Sequence, residues 1–212
     1  MNKKKKRMRI VSSDVWITSD THYSHTNLCL STTKWDVSTE RGLDAVRNFP
    51  TLEDMNETLV TNINNHVNPN DWLIHMGDWS FGGFEQIQEF RDQINCKNIV
   101  LMLGNHDHHI LNNEKNVRKL FSHVAHYEEL KVTKSEKHKP ETLVLCHYPI
   151  ISWNGMRKGA MMLHGHQHLK RDDRFGEGRR MDVGICGSPE FRPYHIEEIF
   201  AILKDRTPGS HH

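Results

Sequence analysis

The chain has 212 residues, 36% hydrophobic and 26% charged, with a formal net charge of +1. That length suits one domain with a proper core, and the composition is that of a soluble globular protein. No apolar run approaches a membrane span and the N-terminus lacks the apolar stretch of a secretory signal, so a cytoplasmic protein without a membrane partner is expected.

The positive charge is concentrated at the start. Residues 1–9 carry Lys3, Lys4, Lys5, Lys6, Arg7 and Arg9, and the rest of the chain is net acidic. A solvated arm is therefore favoured over a nucleic-acid contact. A single domain is expected over residues 10–206, and residues 207–212, ending Gly209-Ser210-His211-His212, read as a tag remnant. The four cysteines, Cys29, Cys96, Cys146 and Cys186, stand apart without a Cys-x-x-Cys pair, which suits buried free thiols in a reducing compartment.

Val15–Ser19 is the first expected strand. Thr21–Asp54 is long, polar and poorly periodic, and reads as a loop with one helical turn in it. Met55, Leu59, Val60 and Ile63 form a stripe that predicts a helix over Glu53–His66, and Asn68–Asp71 is a turn. Strand Trp72–Met76, a helix over Phe84–Ile94 after Gly82-Gly83, and strand Asn98–Leu103 complete a β-α-β-α-β series, which implies parallel strands. A shorter helix is expected at Glu114–Phe121. Strands follow at Val124–Thr133, Glu141–Cys146, Met161–Leu163 and Arg179–Val183, with turns at Lys134–Pro140 and Gly176–Gly178, and a closing helix at His195–Lys204.

Five of these strands end in the same way. Val15–Ser19 runs into Asp20-Thr21-His22, Trp72–Met76 into Gly77-Asp78, and Ile99–Leu103 into Gly104-Asn105-His106-Asp107. Leu143–Cys146 runs into His147, and Met161–Leu163 into His164-Gly165-His166-Gln167-His168. The carboxyl edge of parallel strands is where ligands bind, so these side chains can converge although they are far apart in sequence. A single Asp-x-His or Gly-Asp carries little information. Five such pieces in order, each after an apolar strand, point to a binuclear metal site.

In order and spacing these motifs resemble the calcineurin-like metallophosphoesterase family across roughly residues 15–185. The resemblance implies an α/β fold, a central β-sandwich flanked by helices (α/β-β/α), and hydrolysis of phosphoric esters. It assigns Asp20, His22 and His168 to one metal, Asn105, His147 and His166 to a second, and Asp78 to a bridge between them. His106 resembles the family's general acid, with Asp107 hydrogen-bonded behind its ring. Mixed imidazole and carboxylate ligation suits Mn, Fe, Zn or Ni better than Ca or Mg, with manganese the first expectation.

Departures narrow the class. Gly77-Asp78-Trp79-Ser80-Phe81 lacks the arginine that the family's Ser/Thr protein phosphatases carry, the fourth residue of the central motif is Asp107 rather than Glu, and no tyrosine ligand of the purple acid type is placed here. The small bacterial and phage-type branch remains, which Ser19–Asn27 and His147-Tyr148-Pro149 followed by Trp153 also resemble. The expected substrate is a small, nucleotide-sized phosphodiester, with phosphomonoesters as a further option. A nuclease, a nucleotide pyrophosphatase or a non-catalytic binding module of the same fold are the alternatives. Candidate substrate contacts are His25, Asn27, Trp153, Arg157 and Lys158, and the loops carrying Trp35, Lys170, Arg171 and Arg174 are expected at the rim. His75 and His164, next to the proposed ligands on alternating strand positions, are expected to face away from the metals.

Overall fold

A computed structural model describes residues 8–112, 114–117, 119–170 and 172–209. The chain begins with β1 (Arg9–Val11) and β2 (Val15–Thr18). The long segment after them holds a 3-10 turn at Thr26–Leu28 and α1 (Glu40–Asp44), which buries no residue. Next come α2 (Leu52–His66), β3 (Trp72–His75), α3 (Phe84–Gln93) and β4 (Asn98–Met102). Short helices α4 (His108–Asn112) and α5 (Glu114–Val117) precede β5 (His123–Ala125). The hairpin β6 (Tyr127–Thr133) and β7 (Glu141–Cys146) is followed by β8 (Met161–His164) and β9 (Arg180–Asp182). β10 (Tyr194–His195) leads directly into α6 (Ile196–Leu203).

The strands make two five-stranded sheets, ordered β1-β6-β7-β8-β9 and β10-β2-β3-β4-β5. In the second sheet β2, β3, β4 and β5 are parallel and β10 runs antiparallel to β2. In the first, only the β6–β7 pair is antiparallel. The expected β-α-β-α-β unit is thus present as three adjacent strands joined through α2 and α3.

Side-chain alternation explains the layering. Val15 and Ile17, Ile74 and Met76, and Val100 and Met102 point from the second sheet into one apolar cluster. Leu130 and Val132, Leu143 and Leu145, and Met161 and Leu163 enter it from the first. Ile196, Ile199 and Leu203 of α6 join the same cluster. The opposite face of the second sheet, with Leu73, Ile99, Leu101 and Leu103, packs on Ile63 of α2 and on Ile87 and Phe90 of α3. Period-two burial on both faces is what a sheet covered on each side requires. The α2 stripe of Met55, Leu59 and Ile63 is fully buried, and Thr51 caps the helix by accepting the Asp54 amide at 3.0 Å.

The structure corrects several expected boundaries. Val124–Thr133 is not one strand: β5 pairs with β4 in the second sheet, β6 pairs with β1 and β7 in the first, and the chain changes sheets at His126. The helix expected over Glu114–Phe121 is shorter and is preceded by α4, while Leu120 and Phe121 pack against the α3 side of the core. Arg9, taken as part of the arm, begins β1 and pairs with Glu136 at 2.7 Å. The rest of the arm up to Arg7, and the residues from Ser210 on, lie outside the described residues. Cys29, Cys96, Cys146 and Cys186 are free thiols. No described helix is long and apolar enough to cross a membrane.

Leu163 is fully buried between the sheets, whereas Ile151 is 73% exposed. Leu163→Ala is expected to lower unfolding free energy by about 2–5 kcal/mol in urea titrations, and Ile151→Ala to change it by less than about 0.5 kcal/mol. Equal effects would contradict this layering.

Candidate metal centre

The carboxyl ends of β2, β3 and β4 in one sheet and of β7 and β8 in the other open onto the same space. Backbone hydrogen bonds stitch the loops together there. Asp20 N donates to Gly77 O at 2.9 Å, His22 N to Asp78 O at 3.0 Å, and Gly165 N to His147 O at 2.9 Å. Five of the expected ligands, Asp20, His22, Asp78, His166 and His168, hold positive φ between 47° and 72°. Left-handed backbone costs a non-glycine residue about 1–3 kcal/mol, and such strain gathers where side chains must be aimed. Two motif glycines permit the crowding: a Cβ on Gly104 would collide with the Asp78 carboxylate, and one on Gly165 with the carboxylate of Asp20.

The side chains converge in two groups that share Asp20: Asp20 with His22 and His168, and Asp20 with Asp78 and His147. Asp78 Oδ2 lies 3.5 Å from His22 Nε2 and 3.4 Å from His147 Nε2. His168 Nε2 lies 3.0 Å from His22 Nε2 and 3.5 Å from Asp20 Oδ1. Asn105 Oδ1 is 3.1 Å from His147 Nε2 and 2.9 Å from His166 Nδ1, which brings Asn105 and His166 to the second group. Asp20, His22, Asp78 and His147 are buried, while Asn105 and His166 are exposed and form the mouth.

One tautomer tests whether a cation fits. His147 Nδ1 lies 3.0 Å from the Met76 carbonyl, so it carries the proton, and the Nε2 lone pair faces the Asp78 carboxylate. A lone pair facing a carboxylate oxygen in a buried place is repulsive unless a proton or a metal ion sits between them. His22 Nδ1 has no hydrogen-bond partner, as a ring held through its other nitrogen can leave it. The donor set fits a divalent ion.

Titration tells the same story. Burial raises the Asp20 carboxyl to about 7, against the pull of His168 and helped by Asp182 and Asp78. Burial pushes His22 well below the usual imidazole range, and the neighbouring charges of His168 and Arg47 push in the same direction. His25 falls to about 4 by burial and by its neighbour His106. A dication beside Asp20 would favour the charged carboxylate that burial disfavours.

The other expected residues divide. His106 is half-buried at the mouth, 5.2 Å from the His22 ring, and its amide donates to Asp78 Oδ1 at 2.9 Å. Asp107 does not stand behind the His106 ring. Its carboxylate accepts the amides of Asp78 and Gly104 at 2.8 Å and of Trp79 at 3.0 Å, locking the β3 loop onto the β4 loop. Three backbone donors satisfy a buried carboxylate that burial raises to about 6. His25 joins the site, its ring 5.5 Å from His22 and 6.2 Å from His106. Asn27 instead accepts the Lys34 amide at 3.0 Å and shapes its own loop.

Trp153 is corrected as a substrate contact. It is 6% exposed, packed among Val144, Met156, Ala160 and Met162, and its indole donates to Ala160 O at 2.9 Å. It covers the outer face of the first sheet. Arg157 and Lys158 line a surface cavity of about 510 Å³ beside it, and none of the cavity's lining residues belongs to the cluster. Lys170 pairs with Asp44, Arg174 is buried against Phe175 and Tyr194, and Arg171 lies outside the described residues.

Sequence reading missed three residues at this site. Phe81 lies 3.8 Å from the His25 ring and 5.5 Å from that of His106, while Tyr148 lies 4.8 Å from His166. Both are exposed beside motif residues, a position that could have drawn notice. Arg47, buried beneath Asp20 and Thr21, sits in a polar loop that gave no signal. His75 and His164 are buried as expected. His75 Nε2 lies 2.8 Å from Thr21 Oγ1, which itself donates to Trp79 O, and His75 Nδ1 accepts the Gly77 amide. The bonds fix a neutral ring with the proton on Nε2.

The chain matches the model of the calcineurin-like phosphoesterases over residues 13–181. It is 25% identical over 195 residues to an uncharacterized protein of Methanocaldococcus jannaschii, an alignment covering 90% of this chain and 91% of that protein. Among solved structures it is similar to a protein of unknown function from Aquifex aeolicus, with a TM-score of 0.61 and 20% identity, covering 89% of this chain and 98% of the other. That likeness supports the fold.

His75 gives a pH test that needs no metal. Burial lowers its pKa from 6.5 to about 3, so the stability its neutral ring permits is complete above pH 6.5 and is lost as pH falls toward 3. His75→Gln keeps an amide donor but removes the titration. In urea denaturation of metal-free protein between pH 6.5 and 4.5, stability of the variant should fall less steeply than wild type, by up to about 1.4 kcal/mol per pH unit. Parallel pH profiles would contradict the neutral ring.

Proposed function

The chain belongs to the calcineurin-like phosphoesterase family, hydrolases that cleave phosphoric esters with the help of bound metal, and we propose that it uses two divalent ions to hydrolyse a nucleotide-sized phosphodiester. The observation that carries the two-ion reading is Asp78 Oδ2, nearly equidistant from His22 Nε2 and His147 Nε2. In this reading Asp78 bridges. Asp20, His22 and His168 hold one ion, and Asn105, His147 and His166 hold the other. Imidazole with carboxylate favours manganese, with iron, zinc or nickel as substitutes. When bound, such a pair makes water a nucleophile near neutral pH and neutralises charge developing at phosphorus.

The chain's own residues do the rest. His106, at the mouth and within ring contact of His22 and His25, holds the proton that the leaving alkoxide takes. Asp107 keeps the two loops in register and so fixes His106 relative to Asp78. His25, low in pKa and backed by Phe81, stays neutral and offers a hydrogen bond rather than a charge to the substrate.

The size of the substrate is read from the rim. Among the described residues Trp35, Phe81, Tyr127 and Tyr148 are the exposed aromatic side chains, and three of the four touch histidines of the site. Phe81 and Trp35 lie against His25, and Tyr148 against His147 and His166, so aromatic faces are exposed at two sides of the metal ligands. Aromatic faces stack nucleobases.

If His106 acts as the acid, His106→Ala should keep its metal content and lose roughly 10²–10⁴ in kcat on an alkyl phosphodiester. The loss on a nitrophenyl ester should be small, since that leaving group scarcely needs the proton. Equal losses on both would remove the role.

Phe81→Ala and Tyr148→Ala should raise KM for a dinucleotide roughly five- to a hundredfold, as loss of one stacked base requires, and leave KM for a simple alkyl diester unchanged. Trp153→Ala should leave both constants alone and lower Tm. A rise in KM confined to Trp153→Ala, or activity on phosphomonoesters alone, would refute this rim.

A further inference from the structure

Arg47 is 3% exposed, and among the described residues no hydrogen bond of its guanidinium goes to a carboxylate. Nη2 donates to Asp20 O at 2.6 Å, Nη1 to Thr21 O at 2.8 Å, and Nε to Cys186 Sγ at 3.3 Å. Its backbone is held too: Arg47 N donates to Leu28 O, and its carbonyl accepts from Leu30 N. The long segment after β2 therefore leaves the site, loops outward, and returns at Arg47 to the underside of the first motif. Among the described residues Arg47 alone donates to those two carbonyls.

Those carbonyls belong to the motif's strained turn. Asp20 and His22 take φ of 56° and 47° on either side of Thr21. A peptide turned so that both carbonyls face a buried guanidinium turns the Asp20 and His22 side chains the other way, toward His168 and Asp78. Without a donor below, two buried carbonyls would seek other partners and the turn would relax toward ordinary backbone. A planar fork with separated N–H groups holds two adjacent carbonyls in one fixed geometry.

We propose that Arg47 is a positioning residue for the metal centre, its guanidinium holding Asp20 O and Thr21 O so that the Asp20 carboxylate and His22 imidazole are aimed together. This rests on the two-ion reading above. The test titrates metal-free protein with Mn²⁺ by calorimetry, in the wild type, Arg47→Lys and Arg47→Gln, with the thermal midpoint of each metal-free form alongside. Lysine keeps the charge but gathers its donors on one nitrogen at the end of a flexible stem, without the fixed fork. The wild type should bind two ions. Both variants should bind one of them at least about tenfold more weakly and keep the other, as loss of a ligand's support typically does. Their kcat should recover at saturating Mn²⁺ with KM unchanged. A folded Arg47→Lys protein that binds both ions with wild-type affinity overturns the proposal, whatever its melting midpoint, because a merely structural plug would move only that midpoint. A wild type that fails to bind two ions overturns the two-ion reading, and this proposal with it. If neither variant folds, the Arg47 Nη–H resonances of the wild type, which carry the two carbonyl bonds, decide. They should shift on addition of Zn²⁺, and unmoved signals overturn the proposal.

Discussion

Everything at the mouth of this protein follows from one repulsion. Asp20 and Asp78, both buried, lie with the lone pairs of three imidazoles inside a few ångströms, and like-charged or electron-rich atoms do not gather so closely by preference. They are kept there by backbone. Two sheets end side by side, five residues accept left-handed φ, and glycines give the loops room to touch. Local strain of this kind persists only where the surrounding structure over-determines it, and the sandwich core supplies that rigidity from below. A bound divalent cation would relieve this crowding.

Much of this was legible in the sequence because ligand chemistry allows few residue types and because strands announce themselves by apolar runs. Asp20, His22, Asp78, Asn105, His147, His166 and His168 each follow such a run, and the structure brings them to one place. What was illegible has physical reasons. Trp153 and Trp35 look alike in a string of letters, yet Trp153 fills the outer face of a sheet and Trp35 meets His25 at the surface. Asp107 beside His106 suggested a pair. Sequence adjacency says nothing of direction, and its carboxylate turns back to three amides. Arg47 lies in a stretch without periodicity, so only its tertiary partners disclose it. At His126 the chain changes sheets without a glycine or proline to mark the break.

The outer face of the first sheet shows how the fold keeps its core dry where no long helix is available. Val144 and Met162 point outward there, and Trp153, Met156 and Ala160 of the connecting loop cover them. One loop thus seals the sheet, and the same loop places Tyr148 beside His147 and His166.

The edge strands exchange ends of the chain. β1, from the N-terminus, completes the sheet built by β6 to β9, and β10, near the C-terminus, completes the sheet built by β2 to β5. During synthesis the sheet of β2 to β5 must therefore wait for β10, made long after β5, to close its edge beside β2. Meanwhile β1 waits unpaired for β6 to leave the ribosome. Such long-range pairings delay folding and leave open edges that invite association with other chains. A nascent chain stalled before Tyr194 would hold every proposed metal ligand and yet present an unpaired β2 edge, so its vulnerability during translation lies at β10 rather than in the site.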